Sequence, residues 1–116
     1  MTDFATKLDS FVAGCDRIAE GNRVEHYDRT LPSIFKTTEG KRYVKVIRSE
    51  REGPGGSVHC FIAKDDFITR GLGAVRKGDV LKAAGWATPA RGARGNIFDD
   101  ANGLRRMGPY GPGYNR

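Results

Sequence analysis

Trp86 stands inside Lys77–Asp99, KGDVLKAAGWATPARGARGNIFD, between Gly85 and the small residues Ala87, Thr88, Pro89 and Ala90, with Arg91 and Arg94 each followed by glycine. It is the chain's single tryptophan. Small neighbours leave an indole little side-chain cover, and glycines let the backbone approach a partner closely. A flat ring beside guanidinium groups has the chemistry to stack on a base while neutralising phosphate, a pairing that tolerates any base sequence. Lys82, Arg42 and Lys45 supply further cations, and Tyr43 or Phe61 a second stacking ring. The candidate nucleic-acid-binding set is therefore Trp86, Arg91, Arg94, Lys82, Arg42, Lys45 and Tyr43.

Residues that could carry a reaction are present but not arranged for one. Asp65-Asp66 and Asp99-Asp100 are adjacent pairs beside loops, where solvation or turn capping is their ordinary use. Cys15 and Cys60 lack metal-ligand spacing, and His26 and His59 are far apart, so no metal centre and no cofactor is expected. His59 and Cys60 are neighbours on an expected strand, whose alternation aims them at opposite faces and argues against a thiolate–imidazole pair. The chain is not expected to be an enzyme. Neither GxxxxGK[ST] nor GxGxxG occurs, although amides near Gly92 to Asn96 with the same arginines could cradle a small anionic nucleotide.

These residues belong to a chain of 116 with net charge +6, unevenly placed. Residues 1–40 hold 5 Lys/Arg against 7 Asp/Glu, a net of −2, and residues 41–116 hold 15 against 7, a net of +8. Such asymmetry is a footprint of polyanion contact. The length suits one domain, expected over 1–103, followed by a Gly/Pro/Arg/Tyr-rich tail over 104–116 that is flexible until it meets a partner. No apolar run approaches the ~20 residues of a membrane span, and MTDFATKLDS is acidic where a secretion signal is basic, which points to a cytoplasm.

The expected fold is α+β: an N-terminal amphipathic helix on a small antiparallel sheet of three or four strands. Phe4, Leu8, Phe11, Val12, Cys15 and Ile18 form one helical stripe, capped by Thr2 or Asp3 and ended by Gly21-Asn22, about 17 residues in all. The stripe packs on the chain's own sheet or serves homo-oligomerisation. A short strand is expected at Ser33 to Thr37, one from Lys41 with Val44 and Val46 inward, one over Ser57 to Ala63, and one over Val80 to Ala84. Along Ser57 to Ala63, Val58, Cys60 and Ile62 oppose Ser57, His59 and Phe61. Glu52 to Gly56 is a loop, and Lys64 to Arg76 a loop or helical turn.

The strings SVHCFIAKDD, GDVLKAAGWATPARGARGNIFD and YGPGY resemble a group of small tailed-bacteriophage proteins with no assigned activity, over about residues 41–114. The chain departs from that pattern in its longer stretch between Ala63 and Gly78, and at Gly85, Ala87 and Thr88, where serine, lysine and alanine are expected. The resemblance implies a phage source and a host cytoplasm. Phage replication exposes single-stranded DNA, so a single-strand binder is the expected function. The alternatives are a sponge for a small anionic nucleotide in anti-defence, or a structural or host-protein-binding part.

Overall fold

The computed structural model describes residues 3–26, 32–50 and 56–112. Asp3 caps α1 (Phe4–His26): its carboxylate accepts the Thr6 N–H at 2.8 Å, which also holds the carboxyl below its ordinary pKa. The helix has 23 residues and runs past the expected stop at Gly21-Asn22. Gly21 is exposed, Glu20 pairs with Arg23 one turn later, and Arg23 and His26 lie in the last turn, where cations suit the helix dipole.

The strands follow in chain order: β1 (Ile34–Glu39), β2 (Tyr43–Ser49), β3 (Ser57–Ala63), β4 (Phe67–Thr69), β5 (Gly73–Val75), β6 (Asp79–Ala83), β7 (Pro89–Asn96), β8 (Met107–Gly108) and β9 (Gly111–Pro112). Five of them make one antiparallel sheet in the order β1-β2-β3-β6-β7, so the fold is α+β with more strands than the three or four expected. The stretch expected as a loop between β3 and β6 folds into the hairpin β4–β5. The Arg/Gly segment after Trp86, which carries few strand-forming residues, becomes edge strand β7 because β6 offers it a ladder.

The two sheet faces do different things. On one, Phe11 and Cys15 of α1 pack against Val44, Val46, Cys60, Ile62, Val80 and Ile97, with Phe4, Leu8, Val12 and Ile18 beside them. The helical stripe is thus used on the chain's own sheet. On the other, Phe61, Ala63, Leu81 and Val75 form a smaller cluster, half covered by Phe67 and Leu72 of the β4–β5 hairpin.

The expected alternation in β3 breaks at His59. Val46 pairs with Cys60 but Ile47 pairs with Val58, which leaves one extra residue in β3, a bulge. His59 consequently packs edge-on against Phe35 at 4.9 Å, on the side of Cys60, while Val58 joins the Phe61 cluster. It is 3% exposed, its Nε2 has no partner among the described residues, and burial, aided by the Arg48 charge, lowers its pKa to about 4. Cys15 is pushed up to about 12 and Cys60 well above its ordinary value by burial. The bulge turns His59 to the side of Cys60, where burial disfavours both the thiolate and the imidazolium.

The end of the chain is packed, not an arm, over 104–112. Asp99 accepts the N–H groups of Asn96, Ala101 and Gly103, shaping the turn after β7. Asn102, at φ 55°, donates from Nδ2 to the carbonyls of Lys7 at 3.1 Å and Ile97 at 2.8 Å, tying that turn to α1. Leu104 and Met107 then join the helix-side core. Residues 113–116 lie outside the described residues, as do 51–55, most of the expected Glu52–Gly56 loop, and Tyr27-Asp28.

Candidate nucleic-acid interface

The face away from α1 is where charge and rings meet. Thr38, Lys45, Phe61, Leu81 and Ala93 follow one another directly across β1, β2, β3, β6 and β7. Lys45 points out from that row because Val44 and Val46 on either side turn to the core. Its ammonium lies 4.4 Å from the Trp86 ring centroid and 6.0 Å from that of Phe61. Since β3 separates β2 from β6, the contact means that the β6–β7 tip folds back over β3. Thr88 O closes the tip by accepting from the N–H groups of Ala84 and Gly85, and the five-residue turn leaves Trp86 54% exposed.

Tyr43 is wedged between Phe61 and Phe67, each at 5.6 Å and edge-on, which fixes its ring and desolvates its phenol. Arg42 places its guanidinium 5.2 Å above Phe67. Arg91 lies along β5, close enough that a side chain at Gly73 would meet its Nη2, and Gly73 holds φ 72°, where glycine is at ease. Beneath the tip is a cleft of about 200 Å³, walled by Lys41, Tyr43, Lys45 and Ala87. Among the described residues, none of Lys41, Arg42, Lys45 and Arg91 forms an ion pair.

The structure thus brings together five of the seven residues singled out by sequence: Trp86, Lys45, Tyr43, Arg42 and Arg91. It takes two elsewhere. Arg94 is 7% exposed, and its Nη1 donates to the carbonyls of Arg91, at 2.8 Å, and Gly92, so it braces β7 instead of facing a ligand. Lys82 alternates with Leu81 and therefore leaves this face; its Nζ donates to Pro112 O at 3.2 Å and fastens β9. Phe61, at 2% exposed, is a floor for other rings and no stacking surface. The amides expected to cradle phosphate near Gly92 to Asn96 lie on a sheet strand, and the Asn96 N–H is already taken by Asp99 Oδ2 at 3.1 Å. Lys41 was absent from the sequence-derived set. Its signal is its place at a tight turn, where the Gly40 N–H bonds the Tyr43 carbonyl at 2.8 Å and swings Lys41 outward beside the aromatic strand.

A family model matches residues 8–108, most of the chain and all of the sheet, under the description "Family of unknown function (DUF7717)". The chain belongs to DUF7717. That match spans both sheet faces, including every residue of the cluster just described. No curated protein and no solved structure matches this DUF7717 chain. Among the described residues no group of His, Cys, Asp or Glu could hold a metal ion, and no helix is long and apolar enough to cross a membrane.

Proposed function

We propose that this DUF7717 protein binds single-stranded nucleic acid without sequence preference, through the sheet face that carries Trp86. The observation that carries the reading is the placement of a half-exposed indole 4.4 Å from a lysine that forms no ion pair among the described residues, with Tyr43, Arg42 and Arg91 on the same face. Two components of single-strand binding then coincide. Trp86 offers a ring on which any base can stack, worth ~1–3 kcal/mol per base. Lys41, Arg42, Lys45 and Arg91 offer cations that exchange condensed counterions for phosphate, the part of the affinity that salt weakens. The cleft lining contains two lysines and no carboxylate, which suits an anionic ligand.

Lys45 has two states in this reading. In the free protein its ammonium rests against Trp86; with a strand bound, it moves to a phosphate and yields the ring to a base. The test is a fluorescence titration of the protein, whose single Trp reports the site, with single-stranded DNA, single-stranded RNA and duplex DNA. Saturable quenching by single strands of unrelated sequence, weakened by salt, is expected. Quenching by a mononucleotide as tight as that by an oligonucleotide would favour a small-ligand site instead.

A further inference from the structure

The cleft beside Trp86 is more particular than a basic aromatic surface. Its floor is Phe61, its walls are Tyr43 and Lys45, and its lips are Thr38 of β1, the β1–β2 turn at Gly40 and Lys41, and the β6–β7 tip at Ala87. At about 200 Å³ it is smaller than the ~300 Å³ at which pockets for whole small-molecule ligands begin. Its aromatic wall, Tyr43, suits the edge of a flat ring, while Lys41 and Lys45 at its rim suit the phosphates on either side of that ring. A base pair, locked in a stack, cannot enter.

We infer that this cleft receives one unstacked base of a bound single strand, next to the base that stacks on Trp86. The inference rests on the single-strand reading above and names what it leaves open, how the strand is seated. Trp86 and the cleft are adjacent, since Ala87 forms the lip and Trp86 precedes it in the same turn. One base on the indole and its neighbour turned inward leave the intervening phosphate within reach of the Lys45 ammonium, which in the free protein lies 4.4 Å from the Trp86 centroid and 6.0 Å from that of Phe61. The Gly40 N–H is committed to Tyr43 O and the Gly40 carbonyl to Lys64, so the backbone of this turn does not read a base edge.

The experiment uses the full chain, an oligothymidylate, and versions of that oligonucleotide with one abasic position walked along it. Ala87→Leu fills the cleft from an exposed turn and leaves Trp86 and all four cations in place. It should weaken binding of the intact strand by about 5- to 150-fold, the contribution of one stacked base. For the natural chain, two neighbouring abasic positions should each weaken binding, one for Trp86 and one for the cleft. For Ala87→Leu only the Trp86 position should still matter. Circular dichroism establishes that the variant is folded, and the abasic scan on the unaltered chain is independent of any variant. If the natural chain binds and quenches but Ala87→Leu binds equally well and a single abasic position matters, the cleft is empty and the inference falls while the single-strand reading stands. If the natural chain binds no strand, both fall.

Discussion

Replacing Lys45 by Met separates charge from shape at the proposed interface, because the thioether keeps much of the stem that covers Trp86 and removes only the ammonium. The sheet face presents Lys41, Arg42, Lys45 and Arg91 without ion-pair partners among the described residues. If each meets one phosphate of a single strand, log K against log salt should have a slope of about −2.8, falling to about −2.1 in Lys45→Met. Raising salt from 50 to 200 mM would then weaken the natural protein about 50-fold and the variant about 18-fold. Lys82→Met is the control that makes the result structural. Lys82 carries the same charge but bonds Pro112 O on another side, so its slope should stay near that of the natural chain. Fluorescence anisotropy of a labelled oligothymidylate at four or five salt concentrations measures all three slopes. Equal slopes for Lys45→Met and Lys82→Met would refute the reasoning, since affinity would then follow total charge and not the arrangement on one face.

Other outcomes follow from the same structure. Trp86→Ala should lose ~1–3 kcal/mol of affinity with its salt slope unchanged, because the ring contributes stacking and no charge. His59 has its pKa lowered from 6.5 to about 4, so the fold holds it neutral and the unfolded chain takes up the proton first. Its contribution is complete above pH 6.5 and is lost as pH falls toward 4, roughly 3 kcal/mol in all; urea midpoints from pH 7.5 to 4.5 should show this, and His59→Phe should flatten the curve. Cys15 and Cys60, raised by burial, should resist a thiol reagent at pH 8 until the protein is denatured, and prompt labelling of the folded chain would contradict their placement. Asn102→Ala removes both bonds to Lys7 O and Ile97 O and leaves alanine at φ 55°, a loss of about 2 kcal/mol readable by chemical denaturation.

What could be seen in the sequence was what local pattern determines. The stripe from Phe4 to Ile18 announced α1, and Val44 and Val46 announced the inner face of β2. The helix end was hidden because glycine usually closes helices, whereas Gly21 sits on a face that no neighbour presses and the chain simply continues. β7 was hidden because Ala, Arg and Gly show no strand preference; pairing with β6 supplies what propensity does not. The three-residue strands of β4–β5 are too short for a period to show. At His59 a single inserted residue reversed the side of everything before it, an effect set by the partner strand and invisible in one strand's own alternation.

The candidate site was legible for the same reason and to the same depth. Residue type marked Trp86, Arg91, Arg42, Lys45 and Tyr43, all of which reach one face. It could not distinguish Arg94 and Lys82, whose cations are drawn to nearby backbone carbonyls by the course of β7 and β9. Lys41 escaped notice because its relevance comes from the turn at Gly40, where the chain reverses between β1 and β2.

The most direct measurement is the emission of the chain's one indole as oligothymidylate is added at low salt. Binding at the face described here predicts quenching that saturates, reverses when salt is raised, and competes with unlabelled single strands of any sequence. Emission unchanged at oligonucleotide concentrations well above micromolar would contradict the assignment of Trp86 to a nucleic-acid interface.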